Sequence, residues 1–393
     1  MEQVQGAAGP APGQPAGNQV GIPCMFMRGG TSRGPFFAAG DLPQDTARRD
    51  AVLRAVMGSP HPLQIDGMGG GNPLTSKAGI VSVSRRPGID LEFLFAQLRP
   101  DTGTVDTTPN CGNMLAAVLP FAVERGLLEP HSDTTTAAVL TLNTGMVAEI
   151  SIRTPLGDGA RYVDYDGDTR IDGVPGTSSP VTINFLDTAG SVCDQLLPTG
   201  RARNTVHLDG SGEVAVTCID NGQPLVIVEA AALGRSGYED PAALNADGDL
   251  KDRLEQLRLA CGHLMGLGDV SAKNYPKMTL VSAARSGGTL NTRSFIPHVC
   301  HESIGVLAAV TAATACVIEG TVAQAVAGGA PPPGQPVSVE HPAGEFTVEL
   351  GLDPQDPQRV TRSALLRTAR LIMAGTAYVP RAVWQGPSGE EHR

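Results

Sequence analysis

The chain is poor in aromatic rings: Phe, Trp and Tyr together make up 4% of its 393 residues, with a single Trp. Its core must therefore be built mostly from Ala, Val, Leu and Ile. No cysteine pairing pattern is present. The seven cysteines (Cys24, Cys111, Cys193, Cys218, Cys261, Cys300 and Cys316) are odd in number and widely spread, with no CxxC. That excludes a disulfide framework and points to reduced thiols in the cytoplasm. The longest apolar run, Ile304–Ile318, is 15 residues and too short to span a bilayer comfortably. The first residues carry no basic stretch followed by an apolar one, so no signal peptide is expected. Positive charge is in deficit, 29 Lys and Arg against 40 Asp and Glu. A net charge of −11 argues against a nucleic-acid partner. A cytoplasmic protein with no membrane partner is the expectation.

What is plentiful is apolar residues at 41%, with 48 Gly and 31 Pro. That composition builds a sizeable core from short elements joined by many turns, in a chain long enough for two domains. Residues 1–20, rich in Gly, Pro, Ala and Gln, read as a disordered tail. Strands are expected at Ile22–Met27, 78–83 and 91–98, and a helix over Asp45–Met57 ends at Gly58-Ser-Pro60. Cys111–Glu124 reads as one helix, apolar nearly all round and hence buried. The second half repeats the pattern, with an amphipathic helix at Lys251–Met265 and a second apolar helix at Ser303–Ile318. The expected fold class is α/β (α+β): two similar domains, 21–190 and 191–385, each a curved, mostly antiparallel sheet wrapped around a central helix. The last strand is free to cross back.

Several residues could carry chemistry. Cys111 falls at the start of the first buried helix, where unpaired amides and the helix dipole favour an anion. Its neighbours Asn110, Gly112 and Asn113 are too polar for an ordinary core. Lys77 ends the Gly-rich loop that begins at Gln64, and a desolvated lysine can act as an acid or base. That loop is neither a Walker loop nor a dinucleotide fingerprint, because no Ser or Thr follows the lysine and the glycines precede a strand. Arg28, Thr31, Ser32 and Arg33 offer guanidinium and hydroxyl groups suited to a carboxylate or phosphate. His298, Cys300 and His301 could be ligands, but strand alternation separates them and no carboxylate-rich partner follows. No metal is therefore expected, and Ser303 is the expected N-cap of the second central helix.

The run Ile22-Pro-Cys-Met-Phe-Met-Arg-Gly-Gly-Thr-Ser-Arg-Gly34 resembles the opening of the PrpF family, the 2-methylaconitate cis-trans isomerases. So do Gln64-Ile-Asp-Gly with Pro73-Leu-Thr-Ser-Lys77, Asn110-Cys-Gly-Asn113, Pro276-Lys277 and Arg367-Thr-Ala-Arg370. The stretches Val56–Pro60 and Pro120–Gly126 resemble the subgroup that tautomerises 4-oxalomesaconate in gallate breakdown. The resemblance implies a diaminopimelate-epimerase-like fold and proton transfer on unsaturated di- or tricarboxylates without a cofactor. It implies Lys77 and Cys111 as the acid/base pair. By that resemblance Arg28, Thr31, Ser32, Arg33, Gln64, Asn110, Gly112 and Asn113 would line the substrate site, and from the second half Lys277, His298 and Ser303 are expected to bind the substrate as well. Two positions depart from the family pattern: Arg33 stands where Lys is common, and Ser303-Ile-Gly305 where a Thr-Gly is expected. The alternatives are 2-methylaconitate isomerisation, a non-catalytic carboxylate-binding protein, and a pyridoxal-phosphate enzyme with Lys77 as its Schiff base. The small-molecule carboxylate is the expected partner, with room left for a homodimer.

Overall fold

A computed structural model describes residues 15–386, apart from 187, 211, 333, 357 and 358. The expected tail lies outside the described residues up to 14. Residues 15–20 depart from that expectation: Pro15–Ala16 pairs with Gln19 and Val20, and the first long strand already begins at Gln19. Val20 is buried and paired with Val379, which is what orders the chain there. The chain divides into two compact units. One takes the residues up to Arg170, Gly176–Thr182 and those from Arg367 onward. The other takes Ile171–Pro175 and Ile183–Leu366.

In the first unit, β1 (Gln19–Gly29) and β2 (Ser32–Ala38) form an antiparallel hairpin. Helix α1 (Thr46–Met57) follows, with the Asp45 side chain accepting from the Arg48 amide at its start. It ends on Gly58, whose φ of 75° needs a glycine. Strand β3 (Lys77–Val83) then lies parallel to β2 and antiparallel to β4 (Leu91–Leu98). A second helical segment leads to the hairpin of β5 (Thr134–Thr141) and β6 (Val147–Arg153), with β5 parallel to β4.

That segment is not one helix. It is α2 (Gly112–Leu115) and α3 (Val118–Glu124), separated at Ala116 and Ala117. Pro120 has no N–H for the Ala116 carbonyl and its ring crowds that carbonyl. The amides of Ala116 and Ala117 accordingly bond three residues back, to Asn113 and Met114. Every residue from Met114 to Ala122 is buried, as expected of a helix without a wet face.

Alternation along the strands sorts this sheet into two faces. On one, α1 buries Val52, Leu53, Val56 and Met57 against Ile22, Cys24, Phe37, Ala78, Ile80, Ala96 and Leu98. Each such buried aliphatic side chain contributes about 1.5–3 kcal/mol. On the other, Phe36 packs on Phe93 and on Phe121 of α3, with ring centroids 6.4 and 5.7 Å apart. A Cβ on Gly79 would meet the Phe36 ring at 2.5 Å, so this central-helix face also fixes a glycine in β3.

The second unit has the same order. β7 (Asn204–Leu208), β8 (Gly212–Asp220) and β9 (Pro224–Glu229) are antiparallel neighbours. Helix α4 (Gly248–Leu264) crosses over to β10 (Lys277–Ala283), parallel to β9. β11 (Leu290–Phe295) pairs antiparallel with β10, and α5 (Val306–Val317) crosses over to β12 (Val337–His341), parallel to β11. β13 (Gly344–Leu352) and the start of β14 (Val360–Pro380) complete this sheet. From Arg367, β14 belongs to the first unit, where Ala369–Pro380 pairs with β1. The fold class is α+β, as the sequence led us to expect.

Candidate active site

The site of interest in the first unit forms where the β1–β2 hairpin turns. Gly30, with φ of 51°, makes that turn. A Cβ on Gly29 would lie 2.2 Å from the Asn113 carbonyl oxygen, and one on Gly30 would lie 2.1 Å from Asn113 Oδ1. Only bare backbone can approach α2 this closely. Asn113 Nδ2 donates to Thr31 Oγ1 at 3.0 Å, which locks the turn to the helix start. On its other side the hairpin presses on β3, because a Cβ on Gly34 would sit 1.9 Å from the Lys77 carbonyl oxygen. One hairpin therefore touches both the α2 segment that carries Cys111, Gly112 and Asn113 and the strand that begins with Lys77.

Lys77 is buried, and its Nζ donates to Gln97 Oε1 at 2.5 Å and sits 4.9 Å from the Phe95 ring centroid. Gln97 is held by donating its Nε2 to the carbonyls of Pro73, Ser76 and Leu98. Gln97 and Phe95 thus hold the ammonium group in place. Cys111 is half-buried and occupies the N-cap of α2 in extended conformation, with no side-chain cap bond. Its carbonyl accepts from the Leu115 amide at 2.9 Å. The amides that follow it, of Gly112 and Asn113, lack partners within the helix.

The strand pleat decides which other residues share this face. Gly29 is opposite Ser32 in the hairpin, and Phe36, Gly79 and Lys77 alternate onto the same side. Ser32 is buried there, and its Oγ has no hydrogen-bond partner among the described residues. Ala369 pairs with Gly29, so Arg367, two residues earlier on β14, is carried on the same face. Arg367 is buried, which pushes its guanidinium down to about 9.

Arg28 and Arg33, expected beside Lys77 and Cys111, do not share the Lys77 face. They pair with each other one position out of phase with Gly29 and Ser32, which turns them to the α1 face of the sheet. Arg28 Nη1 donates there to the carbonyls of Gly30 and Thr368 and to Thr368 Oγ1. Arg33 lies 5.8 Å from the Phe26 ring centroid. Gln64 is also turned inward. It donates to Ser59 Oγ and accepts from the Gly71 amide and Ser76 Oγ, so it clamps the Gly-rich loop. Asn110 reaches Thr141 Oγ1 at 3.2 Å and Thr144 Oγ1, which ties the approach to α2 onto the turn after β5.

In the second unit, Met278 and Leu280 pack in the α4 core, so Lys277 alternates to the α5 face. It stands in β10 where Lys77 stands in β3, at the first position of the strand that follows the outer helix. Burial holds its ammonium below the usual lysine range. Its Nζ is 3.7 Å from where a Cβ on Gly305 would be. Ser303 is not the N-cap of α5, since Gly305 is. The Ser303 amide donates instead to His301 Nδ1 at 2.8 Å, and its Oγ lies 3.2 Å from His341 Nδ1. His301 is held below its ordinary range by burial and, after that, by Lys277. His298 is exposed and faces Glu255 at 3.5 Å, apart from this group. His298, Cys300 and His301 engage different partners. Among the described residues no group of three His, Cys, Asp or Glu is placed to hold a metal ion.

The candidate residues that sequence reasoning misses are Arg367 and Gln97, and it weighs His301 only as a ligand beside His298 and Cys300. Arg367 stood in plain view in Arg367-Thr-Ala-Arg370, but only its pairing with β1 shows which face it serves. His301 lies in a polar cluster before α5, and only the folded chain shows it accepting from the Ser303 amide and lying near Lys277.

Comparison with known proteins places the chain in a family. The family model described as PrpF protein matches residues 19–380. A Novosphingobium protein named (4E)-oxalomesaconate Delta-isomerase is 51% identical over 362 residues, covering 92% of this chain and 98% of that protein. A Pseudomonas putida protein named 4-oxalomesaconate tautomerase is 50% identical over 369 residues, covering 94% and 99%. The crystal structure titled methylitaconate-delta-isomerase superposes with a TM-score of 0.81 at 31% identity, covering 96% of this chain and all of that one. The chain belongs to the PrpF family.

Proposed function

We propose that the protein is an isomerase that shifts a proton on 4-oxalomesaconate, by keto–enol tautomerisation or the equivalent allylic shift. The observation that carries this reading is Lys77 and Cys111 bordering one hairpin, in a chain half identical to proteins named for that substrate. The reading on 2-methylaconitate is weaker. Likeness to a Shewanella oneidensis protein named 2-methyl-aconitate isomerase falls to 32% identity, against half for the oxalomesaconate names.

In the reaction a C–H bond breaks beside the keto group, its proton passes to a side chain, and its electron pair enters the conjugated system. A second side chain returns a proton at the other end, the double bond moves, and no electron is gained or lost overall. Lys77 and Cys111 fill these two roles and exchange them in the reverse direction. Dienolate charge builds up in between. The Arg367 guanidinium, the Ser32 hydroxyl and the amides of Gly112 and Asn113, all belonging to the Lys77 face or the α2 start, are the donors that stabilise it.

No cofactor enters this scheme. The purified protein should convert 4-oxalomesaconate after exhaustive EDTA treatment with nothing added, and should convert 2-methylaconitate much more slowly. Activity restored only by Zn²⁺, Fe²⁺ or pyridoxal phosphate, or a preference for 2-methylaconitate, would overturn it.

A further inference from the structure

Three arginines stand in one rung across three strands. Arg370 of β14 is the register partner of Arg28 in β1, and Arg28 is the register partner of Arg33 in β2. Register partners project to the same side, so all three lie on the α1 face, opposite Lys77. Like charges placed directly opposite in a sheet destabilise it. Here Arg370 lies close enough to help depress Arg28, after the effect of burial. Among the described residues none of the three is within ion-pair distance of a carboxylate, although the chain has 11 more acidic than basic residues. Two of the rung are already oriented. Arg28 is pinned through Nη1 to Gly30 and Thr368, which leaves the rest of its fork unused, and Arg33 lies against Phe26. Arg370 is exposed.

We propose that this rung is a second anion site, separate from the Lys77 face, for a small molecule with two or three carboxylates. Neighbouring strands are about 4.8 Å apart, so three guanidinium groups spread over roughly 10 Å. That spacing suits carboxylates separated by a few carbons, each taken by a planar fork. A single carboxylate would leave at least one member of the rung unpaired.

Calorimetric titration with citrate, an unreactive tricarboxylate, tests the site on the full chain. Arg370→Gln should weaken the citrate bound at the rung by about tenfold or more, Arg370→Lys should weaken it less, and acetate should bind poorly to all three forms. The same citrate should still bind to Lys77→Met. Because Arg370 is exposed, the Gln variant should melt no lower than wild type without citrate, since it relieves repulsion. Undiminished citrate binding by Arg370→Gln would overturn the proposal, as would loss of all citrate binding in Lys77→Met. The second result would place the ligand on the catalytic face and leave the proposed isomerase function standing.

Discussion

Lys77→Met should lower kcat by about 10²–10⁴, the usual weight of a positioned acid or base. Met keeps the aliphatic stem against Phe95 and removes only the amine. KM should stay within about tenfold if, as we propose, Arg367, Ser32 and the α2 amides rather than Lys77 are the donors to the substrate carboxylates. Gln97 Oε1 loses its donor in this variant, at a cost of about 1–3 kcal/mol if nothing replaces it. Gln97 Nε2 remains tied to three carbonyls, so the strap should survive and the melting temperature should fall by a few degrees at most. Steady-state kinetics beside a melting curve separate the two effects. Near wild-type kcat would remove Lys77 from the chemistry. Lost affinity with unchanged kcat would make it a carboxylate anchor.

Cys111→Ala should cost kcat a similar factor of about 10²–10⁴ with little loss of stability, since the thiol makes no capping bond. Cys111 should also be the first thiol alkylated at neutral pH. The thiolate is the reactive form, and a raised pKa leaves less of it. Burial pushes Cys24 and Cys300 up to about 11 and Cys316 up to about 12. Burial, then Asp220, does the same to Cys193, up to about 12. Cys261 is raised as well, by its hydrogen bond with the Cys218 thiol and by burial, and Cys218 is fully buried. Mass spectrometry after brief exposure to a small alkylating reagent should find label on Cys111, lost turnover, and protection by substrate. Label on Cys193 first, with activity intact, would count against the assignment.

Much of the fold could be read from the chain because its signals are local. Asp45 and Gly58 bracket α1, and the apolar run after Cys111 announces a buried helix. The interruption at Ala116 and Ala117 was also local, in Pro120, yet its effect falls four residues upstream of the proline. Ser303 has the right side chain for an N-cap, but its amide is taken by His301, and the chain enters α5 only after Gly305. The faces were harder. Both sides of β1 carry apolar residues, with Ile22 and Cys24 on one and Met27 on the other, because helices cover both faces of its sheet. Alternation shows that Arg28 and Gly29 part company. Which of them meets α2 depends on packing between residues more than 80 positions apart. Hence local context is enough to single out Lys77 and Cys111, whereas the faces that Arg28, Arg33 and Arg367 take follow only from the pairing of β1 with β2 and β14.

The central claim is that a proton leaves one carbon to one side chain and a different proton returns from another. Turnover in D₂O, run in the direction that protonates carbon and corrected for uncatalysed exchange, tests this most directly. NMR of the product at low conversion should show solvent deuterium at the receiving carbon for the wild-type protein. Lys77→Met and Cys111→Ala should each incorporate it at the reduced rate of their turnover. A product formed by the wild-type enzyme at full rate, with the original hydrogen transferred intact and no deuterium at that carbon, would contradict the two-group account.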